Sequence, residues 1–301
     1  MSPAAHTLQA PPAWRAWLSA ARPATLTLCV SPVLVATAIA HHEGIAHPAA
    51  ALSALLGAAA IQIGTNLHND AADFERGADT SQRVGPARAT QRGWLSPRDV
   101  RAGATLSFAL AAAFGAYLVW TAGWPLILVG VASIACALSY TGGPYPLAYV
   151  GLGDLFVFLF FGVVATCGAY YCQTLELSWP VVAASLPLGF LATGVLVVNN
   201  LRDREGDASA GKLTLAVRFG PAVARGEYVV CLALAFATPL VAWTAGVVHP
   251  GWLLPLLALP LGIAQAKHLL TLDGAALNPH LGATARLQLV YALLLTLGVN
   301  L

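Results

Sequence analysis

Asp70 and Asp73 stand three residues apart in the segment Asn66-Leu67-His68-Asn69-Asp70-Ala71-Ala72-Asp73. Asp203 and Asp207 stand four apart in Asn199-Asn200-Leu201-Arg202-Asp203-Arg204-Glu205-Gly206-Asp207. On a helix, both spacings put two carboxylates on one face. Two such pairs facing one another would make a cage for hard divalent cations such as Mg²⁺, and those cations would hold a diphosphate. Asn66, Asn69, Asn199 and Asn200 add amide oxygens and N–H groups that can meet either metal or phosphate. Arg83, Arg88, Arg202, Lys212 and Arg218 are near enough in sequence to supply charge-assisted hydrogen bonds to pyrophosphate oxygens. A metal bridging carboxylate and phosphate oxygens stabilises a departing pyrophosphate, so the chemistry suggested is ionisation of a diphosphate ester.

The elements that must position these residues are apolar. Of 301 residues, 58% are hydrophobic and only 9% charged, and the mean hydropathy is +0.71. Repeated apolar stretches of roughly 20 residues mark a polytopic, all-helical membrane protein. Nine spans are expected, over about 21–41, 48–68, 102–121, 124–141, 153–172, 180–200, 228–247, 251–270 and 284–301. Carboxylates are costly at membrane depth, so clusters of them there are read as functional. The spans would supply a groove for an isoprenoid tail and shield a carbocation-like centre from water.

Charge gives an independent check. With the N-terminus inside, all 15 Lys and Arg fall in cytoplasmic segments, while the opposite loops carry only Glu43, Glu176 and some His. This positive-inside pattern puts both acidic segments on the cytoplasmic face. The net charge of +2 is therefore confined to one side. No soluble basic domain is present to bind nucleic acid, whereas Arg-rich loops beside carboxylates at the surface of a lipid bilayer suit a phosphorylated ligand.

The five cysteines lie in or beside apolar spans without C-x-x-C spacing, and read as reduced core residues. Residues 1–13 lack the features of a cleavable signal, so the first span reads as a retained helix. This lead segment is Ala/Pro-rich and is expected to be disordered; residues 14–301 are expected to form one integral-membrane domain. The two long polar stretches, 69–101 and 201–227, follow the second and sixth spans and suggest an approximate internal repeat of four helices. Ser96-Pro97-Arg98-Asp99 has the form of a helix N-cap and first turn. Thr214 to Phe219 reads as a short helix or strand at the surface.

The chain resembles the UbiA-type intramembrane aromatic prenyltransferases. Within them it is most similar to the menaquinone-pathway enzymes that prenylate 1,4-dihydroxy-2-naphthoate. The resemblance rests on Ala21-Arg22-Pro23-Ala24-Thr25-Leu26 and on the two acidic segments. It rests also on Gly77-Ala78-Asp79, Arg83-Val84-Gly85-Pro86-Ala87-Arg88, Tyr140-Thr141-Gly142-Gly143-Pro144, Gly151-Leu152-Gly153-Asp154, Gly211-Lys212-Leu213-Thr214 and Arg218-Phe219-Gly220. It spans nearly the whole chain, and the second acidic segment with its Gly-Lys-x-Thr continuation is its most specific part.

The resemblance implies a central cavity capped from the cytoplasm. It implies Mg²⁺-dependent transfer from a polyprenyl diphosphate to 1,4-dihydroxy-2-naphthoate, with loss of CO₂ and pyrophosphate, giving demethylmenaquinone at the cytoplasmic (inner) membrane of a bacterium. Asp70, Asp73, Asp203 and Asp207 would bind the metal–diphosphate, with Arg88 and Lys212 assisting and Asp79 as a second-tier ligand. Three departures stand out. Ala71 replaces a frequent aromatic residue, Leu213 a frequent polar one, and the turn after Tyr140 lacks the basic residue typical of the hydroxybenzoate branch. The first two hint at an altered pocket, and the third favours a naphthoate acceptor.

Plainer readings compete. Either carboxylate pair alone could be solvated helix-end charge or a surface ion-pair patch. Arg92, Arg98 and Arg101 read better as positive-inside charge or contacts to anionic lipid. Asp154 could favour a helix N-terminus electrostatically or line an acceptor site. Tyr140 could anchor at the interface or contact the acceptor. His68 lacks a metal-ligating neighbour. A transporter would bury ionisable groups mid-span, and a scaffold would not need four face-matched aspartates. Other acceptors, such as homogentisate, hydroxybenzoate, haem or a sugar phosphate, would keep the same fold.

Overall fold

The computed structural model describes residues 11–78 and 83–301. Among these every regular element is helical. Seven helices are long and apolar enough to cross a membrane, or eight if a bent pair is one span. That pair joins Ala13–Thr25 to Thr27–His42 at 49°. Its parts are α1 (Ala13–Ala21), a short 3-10 turn and α2 (Thr27–His42). The fourth expected span is the shorter apolar helix α5 (Pro125–Ser139). Most of the lead segment expected to be disordered lies outside the described residues, but Ala13 already begins α1.

The two helices that matter most are longer than their apolar runs. α3 (Pro48–Glu75) and α8 (Trp179–Ser209) each continue about two turns past the expected end of the span. Both acidic segments therefore ride on rigid helix. α8 is the central element, with 72% of its apolar window buried. Its Leu188, Leu191 and Val198 pack in a core shared with Val35 of α2, Tyr170 of α7 (Ala165–Thr174), Tyr228 of α9 (Leu215–Thr244), and Tyr291 and Leu295 of α11 (Asn278–Val299). α6 (Gly153–Phe158) runs through a π turn into α7. A Cβ on Gly162 of that turn would fall 2.5 Å from the Gly189 Cα on α8, so the two backbones touch there and only glycine fits.

α3 packs chiefly on α4 (Pro97–Ala122). Leu67, Ala71, Val100 and Ala104 form a second core, against which Trp17 of α1 packs. Ser96 caps α4 as expected, accepting from the Asp99 N–H at 3.1 Å, with Pro97 at the first helical position. Leu215–Phe219 is helical and opens α9, which is broken by Gly220 at φ 83° before Pro221. α10 (Leu259–Thr271) follows a 3-10 stretch at Pro250–Ala258. The five cysteines form no disulfide.

Candidate active site

α3 and α8 end on the same side, and each carries an aspartate two residues before its last: Asp73 and Asp207. A helix C-terminus already bears partial negative charge, so a carboxylate there adds unfavourable potential unless cations answer it. The chain supplies several. Arg88 Nη2 lies 3.7 Å from Asp73 Oδ2, Arg83 Nη2 lies 3.6 Å from Asp203 Oδ2, and Lys212 Nζ lies 3.4 Å from Asp207 Oδ1. Arg202 grips Asp203 through Nε at 2.8 Å and Nη2 at 2.5 Å, and its Nη2 also donates to Asn199 Oδ1 at 2.8 Å. The loop after α3 thus reaches α8 through Arg83, and a Cβ on Gly85 would come 2.8 Å from the Arg202 guanidinium.

Beneath this polar mouth lies a cavity of about 710 Å³. Asn66, Asn69, Asp73, Arg88, Tyr140, Asn199, Asn200 and Lys212 line its polar end. Its depth is apolar, with walls from α2, α3, α4, α5 and the α6–α7 segment that include Ala58, Ala112, Val119, Leu126 and Phe160. The shape suits a ligand with a charged head and a long apolar tail.

The remaining expected site residues sit elsewhere. Asp70 is 1% exposed and does not line the cavity. Its carboxylate accepts from the Ala89 N–H at 3.1 Å, from the Thr90 N–H at 3.4 Å, and from the Thr90 hydroxyl. Its expected place beside Asp73 is therefore corrected: a spacing of three residues leaves about 60° of rotation between them, enough to turn Asp70 to the loop. Arg218 also stands apart, donating to the Leu213 carbonyl at 3.0 Å and the Val150 carbonyl at 3.1 Å. Asp154 is buried off the cavity with one carboxylate oxygen lacking a hydrogen-bond partner. Arg83, Arg202, Asp203 and Asp207 form the rim behind the lining residues. Asp79 lies outside the described residues.

Several contributors were not singled out from sequence. Tyr149 donates to Asp73 Oδ1 at 3.1 Å, and Arg76 and Lys212 approach its ring at 5.3 and 6.0 Å. Burial, with the Asp73 charge beside it, raises the Tyr149 phenol above its ordinary value and keeps it a donor. Arg22 lines the cavity from a left-handed backbone, φ 52°. That strained conformation between α1 and the Pro23 turn is the kind of outlier that gathers at functional sites. Thr25 accepts from Gln62 and Asn66, each at 3.0 Å, and Thr141 donates to Asn69 Oδ1 at 2.7 Å. These hydroxyls lie on other elements, and helix periodicity carries no signal for them.

The pattern of the UbiA prenyltransferase family matches residues 29–279. The chain belongs to the UbiA prenyltransferase family. It is 36% identical over 296 residues to the 1,4-dihydroxy-2-naphthoate octaprenyltransferase of Escherichia coli, covering 95% of this chain and 96% of that one. It is 41% identical over 278 residues to the protein of the same name from Mycobacterium tuberculosis, covering 92% and 94%. In three dimensions it is similar to a UbiA homologue from Archaeoglobus fulgidus bound to DMAPP and Mg²⁺, with a TM-score of 0.64, 17% identity, and coverage of 93% and 98%. This UbiA-family chain is thus an integral-membrane prenyltransferase with the all-helical architecture expected from its sequence.

The donor set fits a hard cation. Asp207 Oδ2 is buried without a hydrogen-bond partner, and carboxylate and amide oxygens are the ligands such cations take. Among the described residues no three acidic, His or Cys side chains converge as a ready-made cage. Mg²⁺ needs none, since one or two carboxylates with substrate phosphates and waters complete its shell.

Proposed function

We propose that this UbiA-family chain, as a single integral-membrane domain of the bacterial cytoplasmic membrane, transfers a polyprenyl group from its diphosphate to 1,4-dihydroxy-2-naphthoate on the cytoplasmic side. The observation that carries the reading is the polar mouth of Asp73, Arg88, Asn199, Asn200 and Lys212 above an apolar cavity of about 710 Å³. The naphthoate acceptor is supported by relatives of that name at 36% and 41% identity over most of both chains. Mg²⁺ is supported by the donor set and by the Archaeoglobus fulgidus homologue described with it.

Asp73, Asp203 and Asp207 would hold Mg²⁺ with the diphosphate, and the ion would supply Lewis-acid stabilisation of the leaving group. Arg88 and Lys212 donate to pyrophosphate oxygens as charge builds on them. The Lys212 ammonium is suited to this. Burial alone would lower its pKa, but Asp207, Asp73 and Asp203 together outweigh burial and raise it, so the group stays charged. The apolar walls orient the tail and exclude water from the ionising carbon. A bond forms between that carbon and the ring carbon bearing the carboxylate, and the carbon–oxygen bond to diphosphate breaks. CO₂ then leaves, its bonding pair restoring the aromatic ring. The organic product is a prenylated 1,4-dihydroxynaphthalene, the quinol form of demethylmenaquinone.

The test is a product assay. The purified protein in lipid receives Mg²⁺, a polyprenyl diphosphate and 1,4-dihydroxy-2-naphthoate, with mass spectrometry as readout. A prenylated, decarboxylated product that vanishes with EDTA is expected. Product only with homogentisate or hydroxybenzoate would overturn the acceptor.

A further inference from the structure

We propose that Asp70 is a positioning residue, not a metal ligand: its carboxylate clamps the loop after α3 so that Arg88 faces the diphosphate. The proposal rests on the reading of the cavity mouth as a diphosphate site.

Asp70 lies on α3 and is 1% exposed. Oδ2 accepts from the Ala89 N–H at 3.1 Å, and Oδ1 accepts from the Thr90 N–H at 3.4 Å and from the Thr90 hydroxyl. Both oxygens are thus committed to one stretch of backbone. The Thr90 hydroxyl also lies 3.1 Å from the Asp70 carbonyl oxygen. Ala89 and Thr90 are 0% and 3% exposed, so this is a dry contact in which unpaired N–H groups would be costly. The carboxylate is turned to these loop donors and not to the cavity, where a metal–diphosphate would lie.

The neighbour in sequence shows what the clamp achieves. Arg88 immediately precedes Ala89, lines the cavity, and reaches Asp73 Oδ2 at 3.7 Å. Asp73 also lines the cavity, one turn further along α3. The same helix therefore fixes both the carboxylate that faces the ligand and, through Asp70, the loop that delivers the guanidinium. An arginine delivered by an otherwise irregular loop gains precision from such a fastening. Asn in place of Asp70 would present an NH₂ to one of the two N–H donors, so the clamp calls for a carboxylate and not merely a polar side chain.

The experiment uses the full chain in lipid nanodiscs, with Asp70→Ala, Thr90→Val, Arg88→Ala, the double variant Asp70→Ala/Arg88→Ala, and Asp73→Asn as reference. Amide exchange by mass spectrometry should show faster exchange over residues 88–92 in Asp70→Ala, and in Thr90→Val to a smaller degree, but not in Asp73→Asn. Unchanged exchange there in both clamp variants would overturn the proposal whatever the turnover. In the product assay, KM for the prenyl diphosphate should rise about tenfold in Asp70→Ala, the scale of one charge-assisted hydrogen bond. The half-saturating Mg²⁺ concentration should stay within about twofold of wild type, since no metal ligand is lost. Asp70→Ala should add little on an Arg88→Ala background, because both act through one guanidinium. A shift in Mg²⁺ dependence as large as that of Asp73→Asn, or fully additive losses, would overturn it. If Asp70→Ala does not fold, Thr90→Val carries both readouts. Absence of turnover in the wild type would instead count against the diphosphate reading, leaving the exchange result to decide the clamp.

Discussion

Lys212 Nζ lies 3.4 Å from Asp207 Oδ1, while the other oxygen of that carboxylate is buried without a hydrogen-bond partner. The lysine follows the end of α8 and the aspartate sits two residues before it, so one turn carries both a cation and an open acceptor to the cavity mouth. The pairing leaves each group with spare capacity. Lys212 has further protons to offer a phosphate, and Asp207 has an oxygen to offer a metal.

Replacing Lys212 by Ala should therefore weaken substrate more than fold. Losing a charge-assisted contact to the diphosphate is worth about 1.5–3 kcal/mol, or roughly 10- to 100-fold in KM. Steady-state kinetics with varied prenyl diphosphate checks this; an unchanged KM would remove Lys212 from the substrate site.

The pH dependence follows from the same group. The folded-state pKa of Lys212 is raised by the surrounding aspartates. Its ion-pair contribution is thus fully present below the ordinary lysine value and is lost only as pH rises through the raised one. Binding of inorganic pyrophosphate with Mg²⁺ to the wild-type protein, followed by calorimetry at pH 7 and 9, should show no loss attributable to this lysine. A fall in affinity between them that Lys212→Arg abolishes would contradict the raised pKa.

Tail selection should be set in the apolar depth. Gly115 on α4 and Gly130 on α5 line the cavity, and a Cβ built on either meets nothing within 4 Å. Gly115→Phe and Gly130→Phe should fill the tail path without a clash at the first carbon. The expected outcome is retained turnover with a short prenyl diphosphate and at least about tenfold lower kcat/KM with a long one, from about 1.4 kcal/mol of lost tail contact. Equal effects on both lengths would place the tail elsewhere.

Arg218→Ala should behave differently from Lys212→Ala. Its guanidinium holds the Leu213 and Val150 carbonyls. The contacts are exposed, so the cost should be about 1 kcal/mol in stability. A thermal shift with KM unchanged is expected; the reverse would return Arg218 to the substrate site.

Much of this was legible because membrane spans and helix spacing leave strong marks. The apolar runs located α3 and α8, and the Asn/Asp spacing located Asp73, Asn199, Asn200 and Asp207 near the mouth. The contact of Asp70 with the loop was not legible, because a three-residue spacing does not specify which side of the helix meets the cavity and which meets a returning loop. Asp70's partners, Ala89 and Thr90, are about 20 residues away in a segment with no periodicity to read. Arg218 looked like a phosphate ligand because a basic residue near an acidic segment has the same sequence signature whether it binds a ligand or loop carbonyls. Tyr149 escaped notice, and Arg22 stood within a motif without a role of its own, because their roles depend on how a turn and a bent helix pair fold back over α3.

The most direct test is binding of a prenyl thiolodiphosphate, which resists ionisation, to the protein in nanodiscs with Mg²⁺ and with EDTA. Tight binding that depends on Mg²⁺, and that falls at least about tenfold in both Asp73→Asn and Asp207→Asn while the thermal midpoint holds, is predicted, because one ligand spans the ends of α3 and α8. Equal affinity in EDTA, or wild-type affinity in either variant, would contradict a diphosphate held between the two helices.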